Sequence, residues 1–228
     1  MLNYEDGYNE TLHPSEVNNN YILTFSKYYK NNSNTIAILD YQYLEYLGYH
    51  ENINIIDTNY INWNDKINKC VWRCGLVNGN DYNFIDIKEK NVHPRQYFVD
   101  LYNNNKFKNI DYSNEFMNIK DQIKYKYILD IDGYASTWSA TVWKLYSGSV
   151  LLKQTSVWSQ WYYDELIPWV HYVPIENDFS DLNEKIQWCI DNDDKCKQIV
   201  ENSRKFVTIK LQWDKVKNDM IIIFNKII

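Results

Sequence analysis

The sequence predicts an α/β fold built around a parallel sheet, and a strand–turn–helix–strand pattern in its second half is the first reason. Residues 125–131 (YKYILDI) are rich in β-forming side chains and apolar towards their end, which is typical of a buried parallel strand. The turn dipeptide Asp132-Gly133 follows, then a helical pattern over 138–147 and a strand pattern over 149–153. This order predicts a right-handed βαβ unit.

The second reason is that helix and strand patterns alternate on both sides of this unit. The upstream patterns are strands at 34–40 and 69–75 and helices at 40–46 and 94–103. The downstream patterns are a helix at 161–166, a strand at 170–175, a helix that starts at 178–181 and runs through 191, a helix at 194–206 and an apolar tail at 207–228.

The third reason is composition, which also excludes several classes of protein. The 228 residues are 45% hydrophobic, enough for a sizeable core in one domain or one and a half lobes. A net charge of −6 argues against general nucleic-acid binding. We find no apolar run of membrane-spanning length and no signal-peptide pattern, so we expect a cytoplasmic protein. The excess of Asn, Ile, Tyr and Lys is typical of an AT-rich genome, such as that of a large virus, a parasite or a low-GC bacterium. If the protein is viral, the expected location is the host cytoplasm.

Neither the cysteines nor the histidines form a pattern typical of a metal site or a catalytic triad. Cys70, Cys74, Cys189 and Cys196 lack zinc-type spacing, which predicts four reduced thiols and no bound metal. His171 lies in a strand pattern and is interpreted as a hydrogen-bonded structural residue. The sequence contains no GxSxG motif, so hydrolase chemistry has no support.

The turn after the predicted strand 125–131 is the main candidate site. A helix that follows a parallel strand presents free N–H groups and a positive dipole end, which suit an anion such as a diphosphate. Gly133 would let a ligand approach the backbone, and Ser136, Thr137 and Ser139 add hydroxyl groups. The alternative is that these are only turn and capping residues, since no GxGxxG motif is present.

Two blocks of motifs point to a known family. The first runs YKYILDIDG, a helix, SGSVLLK, WYYDELIPWVHYVPI, DFSDL and NDD. The second, upstream, consists of Trp63 with Lys66, then Val71-Trp72-Arg73, then Arg95. In order and spacing, these blocks resemble the glycosyltransferase family of Rumi-type protein O-glucosyltransferases, fungal capsule-associated xylosyltransferases and bacterial lipopolysaccharide glycosyltransferases.

The resemblance implies two facing Rossmann-like lobes, the GT-B architecture, with the first lobe incomplete here. The expected divisions are a partial acceptor-side lobe at 1–122, a donor-binding lobe at 123–206 and a helical tail at 207–228. It also implies an inverting transfer without a metal ion, in which the UDP-sugar is a substrate and no cofactor is needed.

The resemblance also carries roles to individual residues. Positions 133–139, which include Ala135, would hold the diphosphate and part of the uridine. Arg95 matches an arginine that neutralises phosphate charge. Arg73 shapes the loop after its strand or forms an ordinary salt bridge. The general base of the relatives precedes a segment like TFSK at 24–27, which makes Asp6 the first candidate.

Glu5 is the second candidate base, and the alternative is that both acids are simply solvated near a chain end. The sequence departs from the family pattern at two places. Ala140 stands where the family usually has an arginine in the first turn of the donor-site helix, and Lys144 either compensates for it or is a surface lysine. Cys74 interrupts the WRG motif.

The sequence therefore predicts a UDP-sugar-dependent glycosyltransferase that moves glucose or xylose to a hydroxyl of a glycan or a protein serine. A glycan acceptor, such as a capsule, lipopolysaccharide or viral glycan, is favoured. The alternative is a shortened, inactive homologue that binds a sugar nucleotide or glycan. An aromatic-rich carbohydrate-binding module is a third possibility, but its usual all-β pattern conflicts with the βαβ unit.

Overall fold

A computed structural model describes residues 22–28, 35–45, 47–74, 85–87 and 90–227. The two candidate bases, Asp6 and Glu5, lie outside these residues. The strands are β1 (Ile22–Thr24), β2 (Lys27–Tyr28), β3 (Thr35–Ala37), β4 (Ile67–Arg73), β5 (Ile85–Ile87), β6 (Lys90–Val92), β7 (Ile110–Ser113), β8 (Tyr125–Asp130), β9 (Val150–Gln154), β10 (Trp158–Ser159) and β11 (Val173–Ile175).

The helices include several that sequence patterns predicted closely, among them α3 and α5. Their bounds are α1 (Tyr41–Glu45), α2 (His50–Thr58), α3 (Pro94–Asn103), α4 (Ile119–Gln122), α5 (Trp138–Tyr146), α6 (Leu182–Asp191), α7 (Asp193–Lys210) and α8 (Trp213–Ile227). Across the described part of the chain, none of the helices combines the length and the apolar character that a membrane span requires.

Five parallel strands form the central sheet in the order β11-β9-β8-β4-β7. α5 crosses over from β8 to β9 and completes the predicted βαβ unit. α3 connects β4 to β7, and α4 connects β7 to β8. An all-parallel sheet with helical crossovers confirms the predicted α/β class.

Both faces of this sheet are buried, because successive side chains of each strand point to opposite sides. In β8, Ile128 packs into a core with residues of α5 and α8, whereas Tyr127 and Leu129 pack into a second core with residues of α3 and α6. All three side chains are completely buried. Burial of each large apolar side chain contributes about 1.5–3 kcal/mol, so the two cores hold the sheet in place.

The central sheet takes strands from both sides of the expected lobe boundary between residues 122 and 123. β4 and β7 precede the boundary, yet β4 pairs with β8, with Val71 opposite Ile128. The residues on the two sides of position 122 therefore share one sheet, and the expected boundary falls within that sheet.

The first and last described segments pack against this unit. β1 pairs in parallel with β3, and β2 pairs antiparallel with β10. The hydroxyl of Tyr43 in α1 donates to the carbonyl oxygen of Leu211 at 2.7 Å, and its ring lies 6.0 Å from that of Trp213. The predicted tail at 207–228 thus divides between the end of α7 and the helix α8, which begins beside Tyr43 of α1.

Two predicted elements after β10 are shorter than expected. The helix predicted at 161–166 is a single 3-10 turn, Tyr163–Glu165. The strand predicted at 170–175 is confined to β11, because residues 167–172 form a turn in which the N–H of Trp169 donates to the carbonyl oxygen of Tyr172 at 2.7 Å. Trp169 adopts a φ of 65°, which a strand does not allow.

Candidate functional site

A cavity of about 770 Å³ opens at the carboxyl ends of β4 and β7, beside the first turns of α5. Ligands of open α/β sheets bind at this edge. Tryptophan and isoleucine side chains form part of its wall, while its ionisable lining is mostly cationic. The charged lining residues are Arg73, Arg95, Lys120, Lys144 and Glu115. The excess of positive charge favours an anionic ligand.

Arg95 packs directly against the Gly133 turn. A Cβ atom at residue 133 would lie 2.9 Å from Nη2 of Arg95 and 3.2 Å from its Cζ, so a side chain at this position would displace the guanidinium. Arg95 Nε donates to the carbonyl oxygen of Asp132 at 3.1 Å. The structure therefore brings two predicted site residues together. The space next to the Gly133 Cα, where a side chain would otherwise lie, is filled by the Arg95 guanidinium rather than being open to a ligand.

The start of α3 sets the position of Arg95. Pro94 occupies the first helical turn, where its missing N–H costs nothing. His93 is the N-cap, and its Nδ1 accepts a hydrogen bond from the backbone N–H of Arg95 at 3.2 Å. Helix capping thus fixes the backbone that carries the guanidinium.

Arg73 forms the salt bridge that was one of its two predicted roles, whereas the loop after β4 lies outside the described residues. Its Nη2 forms a 2.5 Å ion pair with Asp111 Oδ1, and its Nη1 donates to the carbonyl oxygen of Asp111 at 2.6 Å. Tyr125 also donates to the Asp111 carboxylate. Partial burial opposes ionisation of Asp111, but the hydrogen bonds from Tyr125 and Arg73 outweigh it and lower its pKa. Arg73 is therefore an anchored cation that still lines the cavity.

A buried polar network lies beneath the first turns of α5, centred on Asp130. The carboxylate accepts hydrogen bonds from Thr137 Oγ1 at 2.8 and 2.7 Å, Thr141 Oγ1 at 2.8 Å and Lys144 Nζ at 2.6 Å. Burial opposes ionisation of Asp130, but Lys144 and Lys153 overcome it and lower its pKa to about 2. Lys144 is only 6% exposed, so its interpretation as a surface lysine is wrong.

The remaining predicted donor-site residues point in other directions. Ser136 is buried and its hydroxyl is hydrogen-bonded to that of Ser26. Ala135 is buried, and its carbonyl oxygen accepts from the N–H of Gly133 at 3.0 Å. Ser139 faces a separate cavity of about 210 Å³, whose other lining residues are Gln42, Tyr49, Glu51 and Asn52. Arg73, Arg95, Thr137 and Lys144 are thus the members of the predicted set that line the larger cavity.

The cavity, its two arginines and the α5 turn lie within the part of the chain that matches a known family. The sequence model described as Glycosyl transferase family 90 matches residues 51–227. The chain belongs to this family. The shared region contains the whole central sheet and every described residue that lines the 770 Å³ cavity.

Curated relatives of this family 90 chain come from viruses and vertebrates. Uncharacterized protein 179R of Invertebrate iridescent virus 6 is 38% identical over 107 residues, which are 44% of this chain and 9% of that protein. Protein O-glucosyltransferase 2 of Danio rerio is 40% identical over 96 residues, 42% of this chain and 19% of that protein. The chain thus spans less than a fifth of each of these two relatives.

A solved structure of HepE from Anabaena, in complex with UDP-glucose, is a more distant likeness. Its TM-score is 0.47 at 9% sequence identity, over 97% of this chain and 54% of that chain. A likeness at this level does not bear on the function of the family 90 chain.

Sequence reasoning missed the charges that support the Gly133 turn of this family 90 chain. The carboxylate of Asp132 accepts from the Ser156 hydroxyl, and burial raises its pKa to about 6 against the opposing effects of Lys153 and Ser156. Burial alone would lower the pKa of Lys153, but Tyr163, Asp132 and Asp130 raise it. The only signal in the sequence was a pair of acids, Asp130 and Asp132, at the end of a buried strand.

Lys144 does not take the place of the arginine that the resemblance led us to expect at position 140. Ala140 lines the cavity, whereas Lys144 is committed to Asp130 and to the carbonyl oxygen of Leu129, 3.1 Å away. Cys74, which interrupts the WRG motif, also lines the cavity. Burial raises the pKa of the Cys74 thiol, with Arg95 opposing, so this thiol stays protonated at neutral pH.

The other cysteines and His171 behave as structural residues. All four cysteines are free thiols, as predicted, and Cys70, Cys189 and Cys196 are buried. His171 Nδ1 accepts from the N–H of Ile167 at 3.0 Å, within the turn that precedes β11. Among the residues that the structure describes, no cluster of three or more His, Cys, Asp or Glu side chains is arranged to hold a metal ion.

Proposed function

We propose that this chain binds a UDP-sugar in the 770 Å³ cavity and transfers glucose or xylose to a hydroxyl of a glycan or of a protein serine. Membership of Glycosyl transferase family 90 supports glycosyl transfer. Relatives named protein O-glucosyltransferases are 40% identical over 96 residues and 38% identical over 90 residues, which supports glucose as the donor sugar.

The observation that carries the proposal is the placement of Arg95 on the Gly133 turn, at the rim of a cationic cavity and beside the start of α5. A guanidinium forms charge-assisted, often bidentate hydrogen bonds with phosphate. The N-terminus of a helix adds unsatisfied N–H groups and a positive dipole end. The two together suit the diphosphate of a nucleotide sugar.

The same groups account for the proposed metal independence. When the bond between the sugar and the β-phosphate breaks, negative charge develops on UDP, and preorganised cations and dipoles stabilise it. Arg95, Arg73 and the α5 terminus would supply that stabilisation in place of a divalent cation.

The proposed inversion at the anomeric carbon requires one general base at the acceptor hydroxyl. Asp6 remains our candidate for the base, with Glu5 second. Neither lies among the residues that the structure describes, so both assignments rest on the resemblance of the TFSK segment to its counterpart in the family.

A UDP-release assay with UDP-glucose and UDP-xylose tests the proposed activity. We expect UDP release that depends on an added glycan or serine-containing peptide acceptor and that is unchanged by EDTA. We also expect a β-linked product from the α-linked donor, which proton NMR of the anomeric signal detects. Acceptor-independent release, or a product with retained configuration, would refute the proposed transfer.

The second candidate function is an inactive homologue that binds a sugar nucleotide without transferring it. Ala140, which stands where the resemblance leads us to expect an arginine, favours this alternative. Binding of UDP-glucose by calorimetry, without turnover for any acceptor, would identify the inactive form.

A further inference from the structure

Residues 22–28 lie directly on the turn that leads into α5. Ser26 is completely buried, and its hydroxyl is hydrogen-bonded to that of Ser136, which is 5% exposed. Next to this contact, the rings of Phe25 and Trp138 meet edge to face, with centroids 5.6 Å apart and an angle of 74°. The segment therefore contacts both the turn and the first residue of the helix.

The bend that presents Ser26 is held on both sides. On one side, Thr24 Oγ1 donates to the carbonyl oxygen of Ser26 at 3.0 Å, and Thr24 is itself fully buried. On the other side, β2 pairs with β10, and the rings of Tyr28 and Trp158 lie 5.4 Å apart. Ser26 therefore has little freedom to follow Ser136 if the turn moves.

Ser136 immediately precedes Thr137, the N-cap residue of α5. Thr137 is fixed from below by Asp130, and Gly133 is covered by Arg95. The Ser26 hydroxyl contacts the same turn at Ser136, between these two points. Ser26 itself is not among the residues that line either the larger or the smaller cavity at α5.

We propose that Ser26 is a positioning residue of the donor site. Its hydrogen bond to Ser136 fixes the orientation of turn 133–137, and with it the first backbone amides of α5 that face the diphosphate. A buried hydroxyl that loses its partner must find another, so removal of either serine hydroxyl lets this turn shift. The inference rests on the proposed function, because it assumes that the donor binds at this turn.

The test is calorimetric titration of UDP into the wild type, Ser26→Ala, Ser136→Ala and the double variant. Loss of one neutral hydrogen bond corresponds to about a three- to tenfold change in affinity. We expect each single variant to lose affinity within that range and the double variant to lose no more than either single one. Ser159→Ala serves as the matched control and should bind UDP like the wild type, because the hydroxyl of this β10 serine donates to the carbonyl oxygen of Gln160 at 3.3 Å.

Several outcomes would overturn the positioning role. A purely structural serine would lower the melting temperature of Ser26→Ala and leave UDP affinity unchanged. A direct phosphate contact by Ser136 would weaken binding in Ser136→Ala but not in Ser26→Ala. Losses that multiply in the double variant would show that the two hydroxyls act independently.

Hydrogen exchange separates failure of this inference from failure of the proposed function. Without any ligand, Ser26→Ala should speed amide exchange at positions 141–143, the first amides that are hydrogen-bonded within α5, while exchange in β8 and β9 stays at the wild-type rate. Unchanged exchange at 141–143 would refute the positioning role even if UDP binds. Absence of UDP binding by the wild type, with faster exchange in the variant, would refute only the donor site.

Discussion

At the scale of single residues, the contact between Gly133 and Arg95 gives the sharpest prediction. Gly133→Ala should weaken UDP binding about tenfold, because its Cβ would displace the guanidinium that approaches to 2.9 Å. The loss of stability should be small, since the φ of Gly133 lies outside the left-handed region. Calorimetry and urea unfolding measure the two effects.

Gly148→Ala is the matched control for this prediction. Gly148 has a φ of 72°, which costs an alanine about 1–2 kcal/mol, but a Cβ there would meet no atom closer than 3.8 Å. We therefore expect the reverse pattern, with stability lost and UDP affinity kept. Equal UDP affinities for Gly133→Ala and the wild type would contradict the assigned role of Arg95.

Asp132 predicts a pH dependence of stability. Burial raises its pKa to about 6 in the folded state, above the 3.8 of an exposed aspartate, so folding favours the protonated carboxyl. This contribution is fully present below about pH 4 and is lost as the pH rises through 6. Asp132→Asn, which keeps an acceptor for Ser156, should therefore gain stability over the wild type between pH 4 and 6, by up to about 3 kcal/mol above pH 6.

Urea unfolding of both proteins at several pH values checks this prediction. The difference in unfolding free energy should be near zero at pH 4 and reach a plateau above pH 6. A difference that is independent of pH would show that Asp132 ionises normally in the fold.

The sequence indicated which residues meet at this site better than it indicated where their side chains point. Arg95 and Gly133 were both predicted, and they are in contact. Thr137 and Lys144 were expected at a ligand or at the surface, yet both bond to Asp130. Thr137 and Lys144 turn inward because the Asp130 side chain lies on the face of β8 that α5 covers. The sequence pattern does not reveal that face, because β8 is buried on both sides and its apolar residues do not alternate with polar ones.

At the scale of elements, the start of α5 depends on the Asp130–Lys144 pair. Asp130→Asn should destabilise the protein by about 3–5 kcal/mol, because it leaves the ammonium groups of Lys144 and Lys153 buried without a full counter-charge. Adding Lys144→Met to that variant should recover about half of the loss, since one unpaired charge is removed. A double-mutant cycle compares the unfolding free energies of Asp130→Asn, Lys144→Met and the double variant. If the two single losses simply add, Asp130 and Lys144 are not energetically coupled, which contradicts this account.

Elements with a strong local signal were predicted well, and those that depend on distant contacts were not. The helix α3 matches its predicted bounds, and β8, α5 and β9 end within two residues of theirs. β7 was missed because its four residues, IDYS, are only half-buried and have no apolar run. α2 was missed because HENINIIDT is rich in residues of modest helix propensity and packs through Ile56, its one fully buried residue.

At the scale of the whole molecule, no local pattern indicates that β4 and β8 lie side by side. Their paired residues are far apart in the chain, and parallel pairing leaves no hairpin signal between them. The lobe boundary inferred from resemblance therefore fell inside the sheet. The α/β class itself could be predicted from local patterns. Helices and strands have different side-chain periodicities, so their alternation along the chain is visible in the sequence.

The C-terminal helix is predicted to be essential for folding. Leu211, Val216 and Met220 belong to the core that α5 and α1 share, and each is 6% exposed or less. Removal of residues 211–228 exposes that core and costs roughly 5–9 kcal/mol, which is comparable to the whole stability of a domain. We expect the shortened chain to lack a cooperative unfolding transition by circular dichroism.

Ile222→Ser is the control for this deletion, because Ile222 lies on α8 but is 53% exposed. It should unfold at the same urea concentration as the wild type. A deletion variant that still unfolds cooperatively would show that α8 is an accessory to the fold.

Titration of UDP into the wild type and into Arg95→Gln is the most direct test of the donor site, with Lys217→Gln on the exposed face of α8 as the charge-matched control. Loss of a charge-assisted hydrogen bond should weaken binding at least about tenfold in Arg95→Gln and not at all in Lys217→Gln. Equal UDP affinities for Arg95→Gln and the wild type would contradict the placement of the diphosphate beside Arg95.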